Sequence, residues 1–284
     1  MAPIHINIYI AIFNNFKKGP RYELTEKIFK HYAHIQSVFK DRIRFTFTIQ
    51  GSEKEFSRDL ALKYFDSNSY IEYDQQGIYV GNRYFLTMFR KKINIGFRQA
   101  TMNNPDISFW AGSNDYVSIN FFEQVLAHYK AEVPQVYGID KYQNGKNITC
   151  IFRHTGEKLD ILDDKNSDVF WWTGEENHSN RKQYKYIGAI IGLNKKCYTM
   201  YPDVLYKWGY DEGANIKNIT DKNNIDILDT RDVIFLNPKI DSTTDITGFN
   251  LLLQHIQSSK IDITALPPEF RERMKQEYDN FMSL

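Results

Sequence analysis

The sequence predicts an α/β fold in which helices cover both faces of a mixed, mainly parallel central sheet. Two observations support this. Apolar segments of strand type alternate with segments of helical spacing along the first half of the chain, and strands joined through helices form parallel sheets with right-handed crossovers. The first strand, residues 4–13, becomes apolar on both faces in its second half, which is typical of a strand in the middle of a sheet.

Hydrophobic spacing predicts the elements of the first half. Isoleucine at every second position from Ile4 to Ile12 predicts the first strand. The elements that follow are a helix capped by Thr25 and extending to Phe39, a strand over Ile43–Ile49, a helix over residues 53–66, a short strand over Tyr70–Tyr73, helices over Asn82–Lys91 and Phe97–Met102, and a strand over Ile107–Trp110. Polar or glycine-containing segments separate these elements, as turns require.

The second half alternates less regularly. Val136–Ile139 and Ile148–Phe152 are predicted strands, which the Asn144-Gly145 turn joins as a hairpin. Residues 154–185 are polar and irregular except at Phe170-Trp171-Trp172, which makes them the best candidate for a mobile or substrate-shaping segment. The other predicted elements are a helix from Ile119, strands over Tyr186–Leu193 and Val233–Leu236, and helices over Phe249–Ile256 and from Pro267. The chain contains no internal repeat, and we expect a single domain over residues 1–284.

The composition excludes several classes of protein. A net charge of +1 over 284 residues provides no bulk electrostatic attraction to nucleic acid or membranes. No segment reaches the roughly 20 apolar residues that span a bilayer. Both cysteines, Cys150 and Cys197, lie inside apolar runs, which favours free buried thiols in a reducing compartment. We expect a cytoplasmic protein. The heavy use of Lys, Asn, Ile and Tyr is typical of AT-rich genomes, including viral ones, in which case the location is the host cytoplasm.

A polar turn follows the buried strand that ends at Trp110. Residues 112–115 read Gly-Ser-Asn-Asp, and their single carboxylate is Asp115. A buried strand that ends in a carboxylate-bearing loop is a common way to present a metal ligand at the carboxyl edge of a sheet. The sequence therefore predicts a metal-binding corner here.

Residues 5 to about 215 resemble a glycosyltransferase of the GT-A type, nearest the inverting family-2-like group. Two blocks carry the resemblance: Asn94-Ile-Gly96-Phe-Arg98-Gln-Ala100, and Phe109-Trp-Ala-Gly112-Ser-Asn114-Asp115. The second block is similar to a Gly-Ser-Asp-Asp variant of the family's Asp-x-Asp metal motif. Here Gly112-Ser-Asn114 has no carboxylate, so Asp115 alone supplies negative charge.

The resemblance implies a GT-A (Rossmann-like) α/β/α sandwich that binds a nucleotide-diphosphate sugar, with a UDP-sugar as the first choice. It implies that Mn²⁺ or Mg²⁺ is held by Asp115 together with diphosphate oxygens and waters. Gln50 and Ser52 stand where the family often has an aspartate, which leaves the base open. The implied donor-binding residues are Phe13, Asn14, Gln50, Ser52, Gly96, Arg98, Ser113 and Asn114.

The resemblance also implies a catalytic base. Inverting transfer needs a carboxylate that accepts the acceptor's proton, and the family takes it from an acidic pair downstream of a small-residue strand. Gly188-Ala-Ile-Ile-Gly192 followed by Asp211-Glu212 is similar to that arrangement. Asp211 is the first choice and Glu212 the second. Trp171 and Trp172 are candidates for a wall that stacks against the acceptor.

On this interpretation residues 1–118 bind the nucleotide sugar, residues 119–235 hold the acceptor and the base, and residues 236–284 form a C-terminal helical extension. The acceptor is left open between a glycan, a protein and a modified nucleic-acid base, and so is the oligomeric state. Two alternatives remain at this point: an inactive nucleotide-sugar-binding module, and a sugar-phosphate nucleotidyltransferase, which would need a glycine-rich phosphate loop after the first strand.

Overall fold

The computed structural model describes residues 2–12, 19–51, 54–66, 70–72, 95–140, 147–172, 186–202, 220, 222–223, 225–240 and 262–284. The predicted helices over residues 82–91 and 249–256 lie outside these residues. Within them, the predicted mixed α/β fold with a mainly parallel central sheet is confirmed. The division of the chain at residues 118 and 235 stays a prediction.

The described strands form two sheets. In chain order they are β1 Ile4–Ile12, β2 Ile43–Gly51, β3 Tyr70–Glu72, β4 Ile107–Ala111, β5 Tyr116–Val117, β6 Gln135–Asp140, β7 Ile148–Arg153, β8 Val169–Trp172, β9 Tyr186–Asn194, β10 Asp226–Ile227 and β11 Ile234–Lys239. The central sheet has the order β10-β6-β9-β4-β1-β2-β3, and the small sheet has the order β5-β11-β7-β8. In the central sheet β9 runs antiparallel to β4 and β6, and the other pairs are parallel.

The described helices connect these strands and cover the sheets. They are α1 Pro20–Phe39, α2 Lys54–Tyr64, α3 residues 95–102, α4 Asn120–His128, α5 Lys195–Met200 and α6 Pro268–Ser283, with a 3₁₀ turn at Ile263–Ala265. No helix among the described residues has the length and apolarity that crossing a bilayer requires.

Strand β1 lies between β2 and β4 and is buried on both faces, as its sequence predicts. Because side chains alternate along a strand, its two faces belong to different cores. Ile8 and Ile10 join the large core that contains the buried side of α1, whereas Tyr9 and Ala11 join a second core with residues of α3 and α5. The central sheet therefore has a helical layer on each face.

The start of α1 differs from the prediction. The helix begins at Pro20, without a side-chain cap, and Thr25 is a fully buried residue inside it. Proline is favoured in the first turn because its missing N–H has no helical partner there and its φ angle is already helical. The predicted cap at Thr25 is wrong because the proline begins the helix five residues earlier.

The predicted hairpin of β6 and β7 is also wrong. Strand β6 pairs with β9 and β10 in the central sheet, whereas β7 pairs with β8 and β11 in the small sheet. The Asn144-Gly145 turn lies outside the described residues. Both segments have the strand spacing that the sequence indicates, but spacing alone does not decide which sheet a strand joins.

Helix α6 closes the small sheet from one side. The ring of Phe152 on β7 packs against Tyr278 and Phe281, with centroid distances of 5.2 and 5.8 Å. The Tyr278 hydroxyl accepts a hydrogen bond of 2.9 Å from the Leu159 backbone N–H. The amphipathic closing helix predicted from Pro267 is therefore confirmed, and it is part of the core.

The two cysteines are free and buried, as the sequence predicts. Burial raises the pKa of the Cys197 thiol to about 12 and raises that of Cys150 well above its usual value. Both thiols are therefore protonated at neutral pH and act as small apolar side chains.

Gly192 on β9 has a packing reason to be glycine. It lies opposite Phe109 of β4, and a Cβ at this position would lie 2.5 Å from the Phe109 ring. We expect Gly192→Ala to lower the free energy of unfolding by about 1–3 kcal/mol, because overpacking a dense core displaces side chains. Urea unfolding would measure the loss. The double variant Gly192→Ala/Phe109→Leu makes room for the methyl group. Its loss in free energy of unfolding should therefore be smaller than the sum of the losses of the two single variants.

Candidate functional site

The candidate site is built around Asp115, in the turn between β4 and β5. Strand β4 lies beside β1 in the middle of the central sheet and runs parallel to it, so the turn leaves the sheet at its carboxyl edge. In open α/β sheets this edge is where ligands bind. Asp115 is 8% exposed and Ser113 is 4% exposed, so the turn is packed into the protein.

Two hydrogen bonds attach this turn to β11. The Asn237 side-chain amide donates to Oδ1 of Asp115 over 2.5 Å, and the Asn114 side-chain amide donates to the Pro238 carbonyl over 3.1 Å. The second bond uses the amide group of Asn114, so its side chain links the turn to β11. These bonds fix the carboxylate of Asp115 from a segment more than a hundred residues away.

Gly112 makes room for the same carboxylate. A Cβ at residue 112 would lie 1.8 Å from Oδ2 of Asp115, far inside van der Waals contact. The other oxygen, Oδ1, is the one held by Asn237. One oxygen of Asp115 is therefore fixed by an amide and the other lies over a glycine, which explains the Gly112-to-Asp115 spacing in physical terms.

Tyr116, next to Asp115, is held by two helices. Its hydroxyl donates to Oε2 of Glu277 on α6 over 2.6 Å, and its ring stacks on His31 of α1 with centroids 3.9 Å apart. Burial raises the pKa values of Tyr116 and Glu277. The Tyr32 hydroxyl on α1 also has a raised pKa, first through burial and then through the negative charge of Asp115. The turn is thus supported by α1, α6 and β11 together.

His31 makes the stability of this support depend on pH. Its Nε2 bonds the Val117 carbonyl over 2.7 Å, and burial lowers its pKa from 6.5 to about 4. The unfolded chain takes up a proton between these pH values that the folded chain does not. The free energy of unfolding should therefore fall by up to about 3 kcal/mol as the pH drops through this window.

His31→Gln keeps an N–H donor for Val117 and removes the titrating group, so we expect a smaller loss of stability on acidification. Melting curves from pH 7 to pH 4 would measure it. His34→Gln is the matched control, because His34 lies on the exposed side of the same helix. Its charge is the smallest of the causes that act on the pKa of His31, so its loss should change the acid sensitivity much less. Equal acid sensitivity of the His31 variant and the wild type would contradict this account.

Gly96 and Gln50 lie together, but in the core. Tyr9 donates a short hydrogen bond from its hydroxyl to Oε1 of Gln50, and a Cβ on Gly96 would lie 2.4 Å from that oxygen. Gln50 is 2% exposed. The backbone of Gly96 therefore lies close against this buried pair. The structure thus places Gln50, a predicted donor-binding residue, in the core beside the first turn of α3, and its contact with a donor stays a prediction.

Arg98 lies on the exposed side of α3, two residues beyond Gly96. Its carbonyl accepts a hydrogen bond of 2.7 Å from the Thr101 hydroxyl within the helix. Since the core contact of Gly96 fixes the start of α3, the helix carries Arg98 on a supported backbone. A role for its guanidinium on a diphosphate stays a prediction.

Trp171 is corrected from a stacking wall to a core residue. It is 1% exposed, and its indole N–H donates to the Ile161 carbonyl over 2.6 Å. A ring that stacks on a sugar needs an open face, and this indole has none. The side chain of Trp172 lies outside the described residues, as do Phe13, Asn14, Ser52, Asp211 and Glu212.

The donor set at the Asp115 turn fits one hard cation better than a protein-enclosed metal centre. Among the described residues no three His, Cys, Asp or Glu side chains form a group that could hold a metal. The carboxylate of Asp115 lies beside the buried Oδ1 of Asn237, which has no hydrogen-bond partner among the residues that the structure describes. Buried polar atoms are normally satisfied. A cation bound mainly through ligand oxygens and water, with Asp115 as the charged protein ligand, matches this set.

Asn237 is the site residue that sequence reasoning missed. It lies in a late strand with no motif around it, and it is 122 positions from Asp115. The available signal was a polar residue inside the otherwise apolar run from Val233 to Pro238. Because a polar side chain in a strand that is largely buried needs a partner, that exception pointed to a contact.

No protein-family model matches the sequence. No curated protein matches it either. The T. maritima inositol-1-phosphate CTP transferase structure is similar with a TM-score of 0.39 and 13% identity, covering 92% of this chain and 99% of that one. The structure of S. aureus TarS 1–349 in complex with UDP-GlcNAc is similar with a TM-score of 0.42 and 13% identity, covering 98% of this chain and 66% of that one. The structure of mouse xyloside xylosyltransferase 1 has a TM-score of 0.37 and 11% identity, covering 99% of this chain and 94% of that one.

Proposed function

We propose that the chain is a glycosyltransferase that moves a sugar from a nucleotide-diphosphate sugar to an acceptor hydroxyl, with inversion and with help from Mn²⁺ or Mg²⁺. The observation that carries the proposal is the Asp115 turn. It places one oriented carboxylate at the carboxyl edge of a parallel sheet, supported by β11, α1 and α6. A UDP-sugar is the first candidate donor.

The residues divide the work of such a transfer. Asp115 would hold the divalent cation, and Asn237 keeps the Asp115 carboxylate oriented. When bound there, the cation would supply positive charge against the negative charge of the departing diphosphate. Arg98 is proposed to add a second positive charge to the diphosphate. Asp211, or Glu212 in its place, is proposed to accept the proton of the acceptor hydroxyl.

A screen of nucleotide sugars tests the proposal. UDP-, GDP-, CDP- and TDP-sugars, each with and without Mn²⁺, would be compared by thermal shift, because a ligand that binds only the folded state raises the melting temperature. We expect one base to stabilise the protein, and to do so more strongly with Mn²⁺. A stabilising donor is then incubated with the protein, and release of free nucleoside diphosphate is measured with candidate glycan, protein and nucleic-acid acceptors.

The outcomes separate the functions. Stabilisation with transfer supports a glycosyltransferase, whereas stabilisation without transfer or hydrolysis supports a binding module. Release of pyrophosphate from a nucleoside triphosphate and a sugar phosphate would instead show a nucleotidyltransferase. If no nucleotide sugar stabilises the protein, the proposal is wrong.

A further inference from the structure

Strand β11 places a second side chain on the face of the small sheet that carries Asp115. Alternate residues of a strand point to the same face, so Lys239 shares a face with Asn237, at about 6.6 Å along the strand. Asn237 is the residue that contacts Asp115. A lysine side chain of four methylene groups covers that separation.

The opposite face of β11 is already occupied. Pro238 pairs in register with Phe152, and Phe152 packs on Tyr278 of α6 at 5.2 Å. Asn237 and Lys239 therefore point away from α6. The end of the strand is also fixed, because the His154 backbone N–H donates to the Lys239 carbonyl over 2.7 Å.

The residue opposite Lys239 on β7 is Arg153, its register partner. Arg153 already has an ion-pair partner, because its Nε donates to Oδ1 of Asp168 over 2.7 Å. Within the described ranges no carboxylate forms an ion pair with the Lys239 ammonium. Lys239 is half-buried, so its side chain is partly packed against the protein and partly accessible to a ligand.

Charge balance gives this lysine a role. A diphosphate brings at least two negative charges to a corner whose one carboxylate is itself negative. A cation and a lysine ammonium together offset that charge, and lysine is a common point-charge ligand of phosphates. We propose that Lys239 binds the diphosphate of the donor, next to the cation held by Asp115. This inference rests on the proposed function for the nature of the ligand.

Titration with inorganic pyrophosphate tests the inference without any sugar or base. Calorimetry in buffer containing MgCl₂ would compare the wild type with Lys239→Met, Lys239→Arg and Lys275→Met. We expect Lys239→Met to weaken pyrophosphate binding by about tenfold or more. Lys239→Arg keeps the charge and should stay within about threefold of the wild type. Lys275 is exposed on α6, so Lys275→Met controls for the loss of one positive charge from the whole protein.

The inference fails if the wild type does not bind pyrophosphate, or if Lys239→Met binds it as tightly as Lys275→Met does. One result would separate failure of the proposed function from failure of this inference. Pyrophosphate binding that depends on Lys239, in a protein that neither binds nor consumes any nucleotide sugar, would keep the anion site and reject the glycosyltransferase.

Discussion

Replacing Asp115 with asparagine is expected to lower sugar transfer by about 10²-fold or more and to remove the effect of Mn²⁺ on nucleotide binding. The substitution changes charge with little change of shape. An asparagine carbonyl can still accept the hydrogen bond that Asn237 donates to Oδ1, so the turn should keep its fold. What is lost is the one carboxylate of the turn, and with it the charged protein ligand of the cation.

Three measurements check this expectation. They are kcat/KM for the donor, the affinity for nucleoside diphosphate with and without Mn²⁺, and the melting temperature, which should change little. Asp59→Asn is the control, because Asp59 is an exposed aspartate on α2 and its loss should leave all three values unchanged. If Asp115→Asn matched the wild type in turnover and in Mn²⁺ dependence, the metal corner would lie elsewhere.

The first half of the fold could be predicted because its signals are local. Isoleucine at every second position of β1 and the apolar stripe of α1 are read within one element. Their alternation then predicts a parallel sheet, since consecutive parallel strands need a crossover. The structure has β1 flanked by β2 and β4, both parallel to it, as this reasoning requires.

The small sheet could not be predicted in the same way. Its pairs join segments far apart in the sequence, such as β5 at Tyr116–Val117 with β11 at Ile234–Lys239. A two-residue strand carries no periodic signal. The Asn144-Gly145 dipeptide favoured a hairpin of β6 and β7, but β6 pairs with β9 in the central sheet. The local pattern is equally compatible with β6 paired to β7 and with β6 paired to β9, so contacts between distant segments decide the pairing.

The glycines show how far a motif predicts a site. Gly96, Gly112 and Gly192 all lie in segments that the sequence singles out, and all three leave no room for a Cβ. Gly112 owes this to Asp115, the carboxylate at the centre of the candidate site. Gly96 is crowded by Tyr9 and Gln50, and Gly192 by Phe109. A glycine in such a motif therefore indicates that another group lies close to its backbone. Only the structure identifies that group as a site residue or a core side chain.

The Asp115 turn was predictable as a position, but its support was not. A buried strand followed by a carboxylate is visible in the sequence, whereas the partners Asn237 and Glu277 come from β11 and α6. Asn237 reaches the turn because the register of β5 and β11 places Leu236 beside Tyr116, and Glu277 reaches it because α6 packs on Tyr116 through Phe281. Such a strand register depends on how the whole core packs, so it cannot be predicted from local patterns in a single sequence.

Replacing Asp211 with asparagine should separate the catalytic base from the metal corner. An asparagine cannot accept the proton of an acceptor hydroxyl, and general-base catalysis contributes about 10²–10⁴-fold to rate. We therefore expect kcat for transfer to fall by about that factor. The affinity for the nucleotide sugar and its Mn²⁺ dependence should remain those of the wild type if Asp211 has the proposed role, because a base that acts on the acceptor does not bind the diphosphate.

Comparison with Asp115→Asn distinguishes the catalytic base from the metal ligand. Two separate roles predict that Asp211→Asn loses kcat but keeps nucleotide binding, whereas Asp115→Asn weakens Mn²⁺-dependent binding. Glu212→Gln is the matched variant, and it should retain activity if Asp211 is the base. If Glu212→Gln loses the turnover and Asp211→Asn keeps it, Glu212 takes the role, and if both keep it, neither carboxylate accepts the proton. A fall in nucleotide affinity in Asp211→Asn alone would instead place that residue on the donor side, because a base that acts only on the acceptor makes no contact that donor binding could report.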